Sequence, residues 1–228
     1  MSVVYFLPTT SQRRTEKLIE RRVGELHDNQ TEKTRVNILT ENVALIVIDV
    51  QYAFEEHKWG KRNNPQAEGN IARLLSAWRN SDRPVFYVRH LSLTPGSVFA
   101  LDAHGSQIKA EVAPITDEPI IFKNVNSAFI GTILEQQLHD RKITQLVIVG
   151  LTTDHCVSTT TRMAGNLGFE VYLVSDGTAT FEQIGPSGKH HSAGEIHGVN
   201  LASLHGEFAE VVCTDEILAN LTVVAAEV

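Results

Sequence analysis

The run Val43-Ala-Leu-Ile-Val-Ile-Asp-Val50 is apolar at every position except Asp49. A strand with one solvated face alternates apolar and polar residues, so this run belongs to a central parallel strand covered on both faces. Parallel neighbours need long crossovers, usually helices. The rest of the chain supplies that alternation. Ile71, Leu74, Leu75 and Trp78 recur at helical spacing. Residues 85–88 behind Pro84, then 120–122, 145–150, 170–174 and 210–213, read as further strands, with Ser175-Asp176-Gly177 closing the fifth. Ile133, Leu134 and Leu138 mark a helix, residues 157–166 another ended by Leu167-Gly168, and residues 195–204 a third. Thr214 reads as the N-cap of a last helix over residues 215–221. The pattern predicts one α/β domain: a three-layer αβα arrangement of a parallel sheet with helices on both faces and right-handed crossovers.

Residues 1–40 read differently. Residues 11–27 are dense in charge with a sparse apolar stripe of Leu18, Val23 and Leu26, which suggests a charged helical extension ahead of a domain over residues 41–228. The net charge of −7 offers no basic excess to neutralise phosphates, so a nucleic-acid or anionic-membrane partner is not expected. No apolar run is long enough to span a bilayer, and the first residues lack a secretory pattern. Two widely separated cysteines cannot build a disulfide framework, which points to a reducing, cytoplasmic setting.

In an open α/β sheet, ligands bind outside the carboxyl ends of the strands. Three unusual polar residues lie near such ends. Asp49 interrupts the first strand, Lys123 follows Ile120-Ile-Phe122, and Cys156 follows the fourth strand where the chain turns into a helix. Backbone N–H groups at a helix start favour a thiolate and can hold an oxyanion. An ammonium beside the thiol stabilises the thiolate, and a carboxylate can take its proton and return it to a leaving group. Taken singly, each residue has a plainer reading: Cys156 as a small buried apolar group, Asp49 as a loop cap, Lys123 as a solvated strand end. Their coincidence at the ends of different parallel strands favours chemistry. Cys213 reads as core. His190-His191, beside a Gly/Pro/Ser-rich stretch, reads as a solvated loop.

Asp49-Val-Gln51 with Phe54, Lys123-Asn-Val-Asn-Ser127-Ala-Phe129, and Gly150-Leu-Thr-Thr-Asp-His-Cys156-Val157 together resemble the isochorismatase-like cysteine hydrolase superfamily. That group includes nicotinamidases, N-carbamoylsarcosine, ureidoacrylate and biuret amidohydrolases, and streptothricin hydrolases. The resemblance covers roughly residues 42–213. It implies a six-stranded parallel sheet, an Asp49, Lys123 and Cys156 triad, a cis peptide at Leu151–Thr152, and an oxyanion hole from the Thr152 and Cys156 N–H groups. It further implies a cysteine-dependent hydrolase of carbon–nitrogen bonds other than peptide bonds. The substrate would be a small amide or ureido compound, held without a cofactor, and the assembly a homodimer or homotetramer for which the extension is a candidate arm. Isochorismatases proper resemble the chain but lack the cysteine nucleophile. Nicotinamidases carry an Asp-x-His metal pattern after the second strand; here Arg89-His90-Leu91 stands instead, so no metal is expected and a metal-assisted nicotinamidase is the alternative. A catalytically idle scaffold or thiol sensor on the same fold is another. Phe54, His90, Asn126 and Ser127 are the candidate substrate contacts. His155 is expected to be structural, and loops 90–105 and 183–191 to form the rim.

Overall fold

A computed structural model describes residues 39–226; the helix expected over residues 11–27 lies outside them. Six strands form one parallel sheet: β1 (Val43–Ile48), β2 (Val85–His90), β3 (Ile120–Lys123), β4 (Gln145–Leu151), β5 (Glu170–Ala179) and β8 (Glu210–Val212), in the order β3-β2-β1-β4-β5-β8. β1 and β4 lie at the centre and are buried along their whole length, as their apolar runs require. The order reverses direction between β1 and β4, which is the topological switch where open α/β sheets form their ligand crevice.

Even-numbered β1 residues Ala44, Ile46 and Ile48 share a core with Leu146 and Ile148 of β4 and Val171 and Leu173 of β5. Helices α2 (Leu134–Asp140), α3 (Ser158–Asn166) and α4 (Ala193–Leu204) cover this face through Leu134, Leu138, Ala164 and Leu204. On the other face α1 (Ala67–Asn80) packs against β5 and against α5 (Thr214–Ala226). The Ile71, Leu74, Leu75 and Trp78 stripe of α1 is fully buried there. α4 starts on a capping box, in which Ser192 Oγ accepts from Glu195 N–H and the Glu195 side chain accepts from Ser192 N–H. Among the described residues, no helix is long and apolar enough to cross a membrane.

Four local expectations are corrected. The fifth strand does not stop at residue 174. A register shift opposite Ile148 and Gly150 lets β5 continue to Ala179, so Ser175-Asp176-Gly177 is a bulge rather than a turn. The Asp176 carboxylate there accepts from Asn70 Nδ2 and from both Thr214 N–H and Oγ–H. Thr214 is thereby the first residue of α5 rather than its cap, and Cys213 sits just past β8, partly exposed, with its N–H on the Glu216 carboxylate. His190-His191 is not a plain loop: it forms β7 (His190–His191), paired antiparallel with β6 (Gln183–Ile184).

A buried charge cluster ties the loops around the crevice to α1. Arg62 grips the Glu68 carboxylate with two nitrogens at 2.7 and 2.6 Å, and Lys109 Nζ lies 2.9 Å from it. Burial alone would raise the Glu68 carboxyl; Arg62 and Lys109 outweigh it and hold the group down at about 2. Because the folded-state value lies below the unfolded one, this contribution to stability is complete above about pH 4.5 and fades as the pH falls toward 2. Glu68→Gln should therefore lower stability in urea titrations by about 3 kcal/mol at neutral pH, with the gap to wild type closing as the pH approaches 3. A gap that persists unchanged at the acid end would show that the charge is not what stabilises this corner.

Candidate active site

The three strand-end residues converge on the α2–α4 side of the sheet. Lys123 Nζ lies 2.6 Å from Asp49 Oδ2 and 3.3 Å from Cys156 Sγ. Asp49 and Lys123 have no side-chain exposure, and Cys156 is 8% exposed. Local folding explains each placement. β3 is an edge strand whose residues alternate, so Ile121 and Lys123 face inward while Phe122 is half exposed under the Arg89 guanidinium. Asp49 follows β1 in the left-handed region (φ 50°), which turns its side chain out of the strand's pleat.

The thiol sits in a π-helical turn, Thr153–Val157, that opens into α3. The Leu151–Thr152 peptide before it is cis. Thr152 O accepts the N–H groups of His155 and Val157, each at 3.2 Å, and passes over that of Cys156 between them. The turn is pinned on two sides. Thr153 Oγ1 is 2.9 Å from His197 Nδ1 on α4, and the Asp154 carboxylate accepts from Thr180 Oγ1 and Gln183 Nε2. Below it, Gly150 (φ 126°) crosses β1 so closely that a Cβ would stand 2.0 Å from Ile48 O. Only glycine lets the Cys156 turn and Asp49 approach this nearly.

Gln51, fully buried, fixes the opposite wall. Its Oε1 accepts from His90 N–H at 2.9 Å, and its Nε2 donates to His90 O at 3.0 Å and to Ser106 O at 2.7 Å. His90 pairs in register with Lys123 across β2 and β3, and its Nδ1 lies 3.3 Å from Lys123 Nζ. Burial and then the Lys123 charge push the His90 imidazole below its usual value, against a smaller pull from Asp49. Burial also raises the Asp49 carboxyl, with Lys123 opposing. The Cys156 thiol is pushed up to about 12, by burial first and then by the Asp49 charge. At neutral pH it therefore rests as a thiol in contact with Lys123, which is paired with Asp49. One Asp49 oxygen, Oδ1, is buried without a hydrogen-bond partner.

One donor atom each from Asp49, His90 and Cys156 falls within 4.8 Å of the others, a spacing that could hold a metal ion. The Lys123 ammonium touches all three of these groups. A divalent ion among them would face that charge at contact distance, so the set does not fit a metal while Lys123 is protonated.

A cavity of roughly 570 Å³ opens above the thiol, lined by Asp49, His90, Asn126, Thr152 and Cys156 at its polar end. Four aromatic rings cluster in the lining, which Lys58, Glu182, Gln183 and Ile184 also share: Phe54 stands 5.5 Å from Trp59, 5.3 Å from Phe99 and 6.1 Å from Phe181, centroid to centroid. Of the candidate contacts, Phe54, His90 and Asn126 line the cavity, with Asn126 Oδ1 3.8 Å from Sγ. Ser127 does not line it: it is buried, and its Oγ accepts from Phe129 N–H to shape the loop. His155 lines the mouth, its Nδ1 3.1 Å from both Thr152 Oγ1 and Asp154 Oδ2. Sequence reasoning missed Trp59, Phe99 and Phe181 individually. Phe99 lies within the anticipated rim loop and Phe181 two residues before the other, so only the rim's location was signalled.

Comparison with known proteins identifies the family of the chain and the relatives of its fold. The family model described as the isochorismatase domain matches residues 43–216. The isochorismatase family protein YrdC of Bacillus subtilis (strain 168) is 49% identical over 180 residues, 79% of this chain and 96% of the relative. Nicotinamidase 3 of Arabidopsis thaliana is 29% identical over 191 residues, covering 78% of this chain and 88% of its own. A solved isochorismatase-family structure from Chromobacterium violaceum superposes with a TM-score of 0.80 at 42% identity, covering 82% of this chain and 97% of that one.

The close crossing of β1 and β4 carries a direct consequence. Gly150→Ala should cost about 4 kcal/mol or more in urea unfolding, since it combines a backbone clash with a strained φ. Stability within about 1 kcal/mol of wild type would mean that the two strands part without loss.

Proposed function

Because this chain belongs to the isochorismatase family, and because it sets a thiol and a carboxylate in the lining of one cavity, both in contact with the buried Lys123 ammonium, we propose that it hydrolyses a carbon–nitrogen bond in a small amide or ureido compound through a Cys156 thioester. The observation that carries this reading is the contact of Lys123 with both Asp49 and Cys156 inside the protein. A buried thiol pushed up to about 12 is a poor nucleophile unaided. It needs a base that is itself raised by burial and a cation to receive the developing charge, and Asp49 and Lys123 have those properties.

In this mechanism the unpartnered Asp49 Oδ1 takes the thiol proton as Sγ attacks the carbonyl carbon, forming the S–C bond. The carbonyl oxygen takes the electron pair and is met by the Thr152 and Cys156 N–H groups; support comes from the way Thr152 O engages the N–H groups on either side of Cys156 and not its own. Collapse of the tetrahedral adduct breaks the C–N bond, and Asp49 gives its proton to the departing nitrogen. Water then adds to the thioester with Asp49 again as base, releasing the acid and restoring the thiol. Lys123 stays charged throughout.

Cys156→Ala should abolish ammonia or amine release from any amide the wild type hydrolyses. Asp49→Asn should slow turnover by about 10²–10⁴-fold. Alkylation of Cys156 by iodoacetamide, followed by peptide mass analysis, tests the base without a known substrate. Its rate should fall on the acid side with a midpoint above the ordinary carboxylate value of about 4, and that limb should vanish in Asp49→Asn. An unchanged pH profile in Asp49→Asn would remove Asp49 from the mechanism.

A further inference from the structure

A buried ammonium has three N–H donors to place. Lys123 spends them on Asp49 Oδ2 at 2.6 Å, Cys156 Sγ at 3.3 Å and His90 Nδ1 at 3.3 Å. A lysine ammonium donates and never accepts, so the His90 nitrogen that faces it must offer a lone pair. A neutral imidazole with its lone pair at Nδ1 carries its proton at Nε2. We propose that Lys123 locks His90 in the Nε2–H tautomer, and that this N–H is a specificity determinant which selects substrates with a hydrogen-bond acceptor on the acyl group, next to the scissile carbonyl.

Four observations support it. Gln51 fixes the His90 backbone through both its N–H and its C=O, and the ring itself is held between Lys123 Nζ at 3.3 Å and Phe99, which packs edge-on at 5.3 Å. The ring is drawn toward its neutral form by burial and by Lys123. His90 lines the cavity alongside Cys156, so a group bound at the thiol lies beside it. Finally, the rings of Phe54, Trp59, Phe99 and Phe181 suit a flat acyl group and offer it no free donor, since Trp59 Nε1 donates to Ala53 O, so its polar contacts near Cys156 fall to neighbours such as His90 and Asn126. An acceptor atom on that group would meet His90; a donor there would meet an N–H and be rejected.

The substrate half of this inference rests on the amide-hydrolase reading, and two experiments keep the two separable. Long-range proton–nitrogen NMR of histidine-labelled protein at about pH 7.5, above the ordinary histidine value, reads the tautomer directly, with the signal assigned by its loss in His90→Asn. Nδ1 should appear unprotonated and Nε2 protonated in the wild type, with the tautomers mixing in Lys123→Met. A proton on Nδ1, or on both nitrogens, overturns the proposal. The second experiment measures binding of benzamide and its three pyridinecarboxamide isosteres to Cys156→Ala by calorimetry. At least one pyridine isomer should bind about tenfold tighter than benzamide, the worth of one hydrogen bond, and the ratio should fall to about one in Cys156→Ala/His90→Asn. Equal binding of all four, no binding at all, or a ratio that survives in the double variant also overturns it. Selective binding without hydrolysis by the wild type would remove the amide-hydrolase reading and leave His90 in place; hydrolysis without selectivity would do the reverse.

Discussion

Lys123 and Asp49 carry opposite charges with no exposure, 2.6 Å apart. Taking either charge out of water alone is costly, and breaking such a pair by removing one partner typically costs about 3–5 kcal/mol. Each therefore makes the other tenable, and the rest of the site is arranged to keep them together. The edge strand presents Lys123 inward, the left-handed turn at Asp49 aims its carboxylate across, and His90 and Cys156 take the remaining ammonium donors. Cys156 is itself buried, at 8%, while His90 is the more exposed member of the cluster. Burying this ammonium thus gathers a carboxylate, an imidazole and a thiol around one charge.

Precision comes from the sheet rather than from the loops. Asp49 and Cys156 follow β1 and β4, and Lys123 ends β3; the registers of these strands are fixed by continuous backbone pairing through β2. Where the strands alone would hold groups too far apart, small devices close the gap. Gly150 lets β4 cross β1 at contact distance, and Gln51 stitches the end of β1 to the end of β2 with one amide. Such sites on strand ends keep tighter geometry than sites built on loops.

The sheet and the meeting of Asp49, Lys123 and Cys156 were legible because they rest on rules with short range. Unbroken apolar runs marked β1 and β4, and a polar residue at the end of such a run stands out against them. The aromatic wall was not legible in the same way. Trp59, Phe99 and Phe181 lie in connections whose path is set by distant pairings, such as the bridge between Arg62 and Phe181, and no local pattern announces that they meet. Ser127 misled because serine after a strand end serves a turn as readily as a ligand. The bulge in β5 misled for a related reason: Ser-Asp-Gly is turn chemistry, and only the Asp176 contacts to Asn70 and Thr214 keep the strand running through it.

Asp154 sits two residues before the nucleophile, yet its carboxylate is occupied by Thr180 and Gln183 from the segment that leads into the β6–β7 ribbon. Ile184, on that ribbon, lines the cavity mouth while remaining 67% exposed. The mouth of the cavity is thus wired to the turn that carries Cys156. For lineages of this fold, that wiring limits how freely new specificities can arise. A ribbon altered to admit a different molecule must still satisfy Asp154, so changes in what enters the cavity and changes in how the thiol is held are inherited together.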